Sequence, residues 1–120
     1  MIDNFRHFRA GPDFQGRTWQ VDLLWLQTAT AIRHSDSIDV KFLLSDGEAR
    51  MEKVVSLNYP DLLELSRTTG HPLTDPWCTK LAALHLARMV ETGDDFEKTL
   101  VTADRSDLER YLTVPQGLPA

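Results

Sequence analysis

The sequence predicts an α+β fold, with an antiparallel meander sheet of three to four strands in the N-terminal half and two to three helices packed against it from the C-terminal half. Apolar residues alternate with polar ones in the first half, as in strands with one buried face. After residue 60 they recur at helical spacing. Because no linker or repeat divides the chain, we expect residues 1–112 to form a single domain and residues 113–120 to be a frayed tail.

Two strands are predicted before residue 30. The segment from residue 18 to residue 27 alternates so that one face carries Trp19, Val21, Leu23 and Trp25, and the other carries Leu24 and Leu26. A short amphipathic helix is the alternative for this segment, but its aromatic residues and valine favour a strand. A shorter strand over residues 5–9 ends at a turn-like Ala-Gly-Pro-Asp cluster and would pair with the longer one.

A hairpin is the most specific prediction. Alternating segments flank the dipeptide Asp46-Gly47, which suits a two-residue type I′ turn. With that loop, the opposed pairs are Ser45 with Glu48, Phe42 with Met51, Lys41 with Glu52, and Ile38 with Val55. Lys53 does not fit this pattern, because it falls on the buried side opposite Val40, and we expect its stem to run along a sheet edge towards water.

The second half predicts three helices. The first begins near Pro60 and ends at Gly70, and the third spans residues 106–112. The second follows the N-cap candidate Thr74 and runs from Asp75 to about Thr92. Apolar residues nearly encircle this second helix, so we expect it to lie centrally across the sheet. Between the last two helices, residues 99–102 form either a last short strand or an extended link.

Charge and cysteine content exclude several classes of function. A net charge of −5 has the wrong sign for a nucleic-acid or acidic-membrane partner. Cys78 is the only cysteine, which excludes an intramolecular disulfide and a thiolate zinc cage. The N-terminus lacks the apolar segment of a secretory signal, and no run of residues reaches membrane-spanning length. We therefore expect a cytoplasmic protein, and no motif calls for a cofactor.

Cys78 is the first candidate for chemistry, because a helix N-terminus can activate a thiol. His85 lies on the same predicted helix face, but seven residues correspond to about 10.5 Å of rise, which is too far for a hydrogen bond. A small buried side chain is therefore the preferred interpretation of Cys78. Trp25, Cys78 and His85 could nevertheless surround a small ligand between the sheet and the second helix, which is the alternative function.

Two polar clusters are candidate binding sites. His34, Asp36 and Asp39 could converge on a metal ion, but their spacing matches neither a calcium loop nor a zinc-binding helix, and an ordinary polar turn is preferred. The second cluster is acidic and follows the second helix, where it is either a solvated loop or a surface for a basic partner. Its members are Glu91, Asp94, Asp95 and Glu97.

The predicted outward face of the sheet is the main indication of function. It would carry Leu24, Leu26, Leu43 and Val54, which is more apolar than a solvent-facing surface requires. With no catalytic constellation identified, the sequence predicts an interaction or accessory protein. It would self-associate as a homodimer, or bind a protein partner, through its sheet.

Overall fold

A computed structural model of the chain describes residues 4–29 and 36–113. The strands and helices are β1 (His7–Ala10), β2 (Trp19–Ala29), β3 (Ser37–Ser45), β4 (Arg50–Asn58), α1 (Tyr59–Thr69), α2 (Asp75–Thr92), β5 (Leu100–Ala103) and α3 (Arg105–Thr113). The three predicted helices are confirmed to within two residues at each end. The predicted tail lies outside the described residues, apart from its first residue.

The five strands form one mixed sheet in the order β1-β2-β3-β4-β5. Strands β1 to β4 are the predicted antiparallel meander, and the α+β class is confirmed. The sheet has one strand more than predicted, because the segment left open as a strand or a link forms β5. Strand β5 runs parallel to β4, since α1 and α2 carry the chain back before it pairs.

The core lies on one side of the sheet, which we call the inner face. Helix α2 packs there, and its residues Leu81, Leu86 and Val90 are fully buried. It begins after Thr74, whose hydroxyl accepts a hydrogen bond from the Trp77 N–H at 3.3 Å, as an N-cap residue does. The strand side chains that form this core are Phe8, Ala10, Trp19, Val21, Ile38, Val40, Phe42, Leu44, Val55, Leu57, Val101 and Ala103. None of the helices in the described ranges is long and apolar enough to cross a membrane.

The predicted hairpin exists, but its register is shifted by two residues. The Asp46 N–H donates to the Ala49 carbonyl at 3.2 Å, which leaves Gly47 and Glu48 as the loop. Only Gly47 has a positive φ, of 97°, and a positive φ confined to the first loop residue fits a type II′ turn rather than type I′. The Asp46 carboxylate selects this turn by accepting the N–H groups of Glu48 and Ala49. A shift of two residues leaves every side chain on the face of the sheet that was predicted for it. The observed pairs are Phe42 with Lys53, Lys41 with Val54, and Leu43 with Glu52.

A β-bulge in β2 overturns part of the predicted face assignment. Leu23 pairs with Phe42 and Trp25 with Lys41, so Leu24 has no partner of its own in the register. The inserted residue reverses the alternation beyond it. Trp25 therefore lies on the outer face of the sheet, and Leu26 packs against the core on the inner face.

The side chain of Lys53 does not reach water along the sheet edge, contrary to the prediction. Its side chain is on the inner face and is only 3% exposed. The chain entering β5 covers it, and the Lys53 amine donates hydrogen bonds to the carbonyls of Phe96 and Lys98. The Lys53 amine therefore bonds to two main-chain carbonyls instead of reaching water, because a buried amine needs hydrogen-bond partners.

Candidate functional site

The outer face of the sheet is the side opposite α2, and apolar side chains cross its middle. Trp25, Lys41, Val54 and Leu100 occupy adjacent positions on β2, β3, β4 and β5. Leu100 is 59% exposed and Trp25 is 37% exposed, so this row faces solvent within the described part of the chain. The Lys41 amine lies 5.7 Å from the centroid of the Trp25 ring and 2.7 Å from Glu52. Its charge is therefore balanced within the face.

The neighbouring row is also part apolar and part charged. His7, Asp22, Leu43 and Glu52 are aligned across β1 to β4, and His7 contacts the Asp22 carboxylate. Leu43 borders a shallow groove of about 440 Å³. The groove continues along the part of β4 that precedes its pairing with β5. The two rows together form an apolar centre in which the charged groups already have partners.

Charged residues mark the two ends of the outer face. Arg9 and Arg50 belong to the row at the hairpin end, and Asp39 belongs to the row beyond Trp25. Along β3, Ser45 in the row at the hairpin end and Asp39 in the row beyond Trp25 are about 20 Å apart at 3.3 Å per residue. The face therefore carries two arginines at one end and one carboxylate towards the other.

The structure brings together three of the four predicted interface residues. Leu43 and Val54 are on the outer face, and Leu24 is 43% exposed in the bulge beside it. Leu26 is on the inner face instead. Sequence reasoning missed Trp25, because a bulge leaves no mark in the alternation. It also missed Leu100, because residues 99–102 fit either a short strand or an extended link and their pairing partner could not be assigned.

A second candidate site is a cavity of about 260 Å³ bordered by α2, β5 and α3. His85 of α2 lines it, and its Nδ1 atom lies 2.6 Å from the hydroxyl of Tyr111. Asp107 approaches the same Nδ1 at 4.0 Å and accepts a hydrogen bond from Arg88 at 3.3 Å. These contacts join α2 to α3.

Burial determines the protonation states of His85 and Tyr111. It lowers the pKa of His85, against the opposing effect of Asp107. Burial also raises the pKa of Tyr111 to about 12, with the Asp107 carboxylate adding to it. The imidazole is therefore neutral near pH 7, and the protonated tyrosine hydroxyl donates to Nδ1. This is the arrangement of a satisfied buried histidine.

The predicted ligand pocket does not assemble. Trp25 is on the outer face, on the opposite side of the sheet from α2. Cys78 is buried near the start of α2, two turns from His85. Burial, reinforced by the Asp75 carboxylate, raises the pKa of the Cys78 thiol to about 11, which keeps it protonated. His85 alone of the three lines the second cavity.

The polar cluster of His34, Asp36 and Asp39, for which an ordinary turn was preferred over a metal site, is only partly described. His34 lies outside the described residues, while Asp39 accepts a hydrogen bond from the Ser37 hydroxyl at 3.0 Å. The Asp36 carbonyl accepts from the Tyr59 N–H, which fastens the start of β3 to α1. In residues 4–29 and 36–113, no three His, Cys, Asp or Glu side chains are grouped so that they could hold a metal ion.

The predicted acidic cluster is exposed at the end of α2. All four of its carboxylates are on the surface: Glu91, Asp94, Asp95 and Glu97. Asp95 pairs with Lys98 at 3.1 Å, and both Asp94 and Asp95 border the His85 cavity. Two of the four residues of the cluster thus belong to the acidic rim of that cavity.

Comparison with known proteins adds no analogy to this geometry. The chain matches no protein-family model, no curated protein and no solved structure. Function must therefore be argued from the surfaces themselves.

Proposed function

We propose that this chain is a protein-interaction module that self-associates as a homodimer through the outer face of its sheet. The observation that carries the proposal is the row formed by Trp25, Lys41, Val54 and Leu100, an exposed and largely apolar strip in the middle of a face that α2 leaves uncovered. A sheet exposed in this way commonly packs against a second sheet.

The size of the face suits a stable dimer. Strand β3 has nine residues, which is about 30 Å of length. Five strands give a width of about 24 Å. Because β1 and β5 have only four residues each, the face is smaller than the product of these two lengths and offers on the order of 600 Å². Two copies would bury about 1,200 Å², which is at the lower end of the range of specific interfaces.

The charges on the face are self-complementary. In a dimer with two-fold symmetry, antiparallel stacking of the sheets sets the basic end of one copy, with Arg9 and Arg50, over the acidic end of the other, with Asp39. The two-fold axis then passes through the apolar centre near Leu43 and Val54. Apolar contacts at the centre with charges at the rim are the usual anatomy of an interface.

A ligand-binding or enzymatic role has less support. It rested on Trp25, Cys78 and His85 sharing a pocket, and these three residues lie in separate places. The His85 cavity is polar and is lined by side chains that already bind one another. We therefore keep this alternative second to self-association.

The proposal is tested by replacing Leu100 with aspartate. Leu100 is the most exposed apolar residue of the row, so Leu100→Asp should leave the fold intact while placing a charge at the interface. Losing a buried leucine costs about 1.5–3 kcal/mol, so we expect the dissociation constant of the dimer to rise about 10- to 100-fold. Sedimentation equilibrium over a concentration series measures it.

Leu63→Asp is the matched control. Leu63 is 48% exposed on α1, away from the outer face, so this variant should keep the dissociation constant of the unmodified chain. Equal weakening by both variants would point to a general loss of structure. An unchanged dissociation constant in Leu100→Asp would remove the outer face as the interface.

A further inference from the structure

Strand β2 is longer than the strand beside it, which leaves half of one edge free. The pairing of β1 with β2 runs from Ala10 with Trp19 to His7 with Asp22, and one further bond joins the Leu23 N–H to the Arg6 carbonyl at 2.8 Å. Beyond that bond the chain of β1 turns away at Asn4. Within the described ranges, no strand pairs with this side of β2 after Leu23.

The register identifies the main-chain groups on the free edge. The main-chain N–H and C=O groups of successive residues in a strand point alternately to its two sides. Those of Leu23 point towards β1. After the bulge, Trp25 and Gln27 occupy the positions that bond to β3. Leu26 and Thr28 therefore direct their N–H and C=O groups to the free edge, away from β3.

This edge lacks the charges that usually protect an edge strand. From Leu23 to Thr28 the sequence Leu-Leu-Trp-Leu-Gln-Thr has no ionisable side chain. Strand β4 also has a stretch unpaired by β5, but that stretch carries Arg50, Glu52 and Lys53. Charged side chains discourage the addition of a strand, whereas an uncharged, β-prone edge favours it.

We propose that the free edge of β2 pairs with the same edge of a second copy of this chain, in antiparallel orientation about a two-fold axis at Gln27. In this register Leu26 of one copy is opposite Thr28 of the other, and both residues exchange N–H···O=C bonds across the axis. All four bonds use groups that are otherwise unpaired in the described structure. The two Gln27 side chains meet on the outer face, where their amides can bond to each other.

The second copy is favoured over a foreign strand because the edge is self-complementary. Each copy offers two donors and two acceptors at a matching spacing, and the absence of charge from Leu23 to Thr28 removes repulsion between identical edges. Pairing would also join the two outer faces side by side, because antiparallel pairing of this register keeps each face on its own side. Where the edge axis intersects the axis of the proposed face-to-face dimer, the assembly is a closed tetramer with three mutually perpendicular two-fold axes.

The edge is tested with Thr28→Pro, with Thr28→Val as its control. Proline removes the N–H and blocks an added strand, but it takes no hydrogen bond from the pairing with β3. Valine keeps the N–H and the branched shape. We expect Thr28→Pro to halve the assembled mass in sedimentation and Thr28→Val to leave it unchanged, with both variants retaining the circular dichroism of the unmodified chain.

Hydrogen exchange of the unmodified chain gives a test that does not depend on a variant folding. If the edges pair, exchange at the Leu26 and Thr28 amides should slow at least tenfold between dilute and concentrated samples, while the Gln27 amide, bonded to β3, should not change. Amides that exchange at the same rate at every concentration would overturn the proposal. Equal, strong protection in a dilute monomer would do so as well, because it would mean that the chain covers its own edge.

The proposal for the free edge and the proposal for the outer face can be disproved independently of each other. If only the edge associates, Thr28→Pro gives a monomer and Leu100→Asp leaves a dimer. If only the outer face associates, Leu100→Asp gives a monomer and Thr28→Pro leaves a dimer, and the edge proposal is wrong. If both associate, each variant alone gives a dimer and the combined variant a monomer.

Discussion

Lys53 fastens the segment between α2 and β5 to the sheet. Its amine donates to the Lys98 carbonyl at 2.6 Å and to the Phe96 carbonyl, and it lies 4.9 Å from the centroid of the Phe96 ring. Burial lowers the pKa of this amine, and Glu97 partly opposes the shift. Two hydrogen bonds and a cation–π contact thus offset the cost of a buried charge.

Replacing Lys53 with methionine should destabilise the protein. Methionine keeps the volume but leaves the Phe96 and Lys98 carbonyls without their donor, so we expect the free energy of unfolding to fall by about 1–3 kcal/mol in urea titrations. Lys98→Met is the control, because the exposed pair of the Lys98 side chain with Asp95 is worth about 0–1 kcal/mol and the main-chain carbonyl that Lys53 binds is kept. Equal losses in the two variants would contradict the role of Lys53.

His85 makes stability depend on pH in a defined direction. Burial lowers its pKa in the folded state, so the unfolded chain binds a proton first as the pH falls below about 6.5. The free energy of unfolding should therefore decrease from pH 7 to pH 5, and His85→Asn should show a smaller decrease. His7→Asn controls for the loss of an exposed histidine. A slope in His85→Asn as steep as in the unmodified chain would contradict this account.

Asp13 shows how a loop residue can escape sequence analysis. It is buried below β2 and accepts hydrogen bonds from the N–H groups of Gln15 and Arg17 and from the indole of Trp19 at 3.0 Å. Burial alone would raise the pKa of its carboxyl, but these hydrogen bonds outweigh it and lower the pKa. Nothing in the segment Pro-Asp-Phe-Gln signals this function, because it depends on an indole donor from the following strand.

At the scale of elements, helix caps were predictable, the hairpin was predictable in its place but not in its turn type or register, and irregular pairing was not. Helix α2 matches its predicted bounds because Thr74 and Gly93 are local signals for its two ends. The Leu24 bulge has no such signal, since one extra residue fits both the alternation before it and the alternation after it. That ambiguity placed Trp25 and Leu26 on the wrong faces.

Gly47→Val tests the turn of the hairpin. Gly47 has φ of 97°, a conformation that strains a β-branched residue, so we expect a loss of about 1–3 kcal/mol in the free energy of unfolding. Gly47→Asn should lose less, because asparagine tolerates positive φ more readily. In the part of the chain that the structure describes, nothing lies within 4 Å of a Cβ added at Gly47, so the loss would report backbone strain and not a clash. A neutral Gly47→Val variant would mean that the turn is wrong.

At the scale of the whole molecule, the layer order was predictable and the functional surface only in part. A change of period near residue 60 is enough to predict a sheet followed by helices. The outer face requires the pairing of β5 with β4, which places Leu100 beside Val54 although 46 residues separate them in sequence. Contacts of this range leave no local pattern, so the most exposed residue of the row could not be predicted.

The most direct test is the molar mass of the unmodified chain, measured by light scattering after size exclusion at two concentrations and two salt strengths. We predict a mass of at least twice the 13.7 kDa of one chain. Weak sensitivity to salt should accompany it, because the contact is apolar at its centre. A mass of 13.7 kDa at the higher concentration, in both salts, would contradict self-association through the sheet.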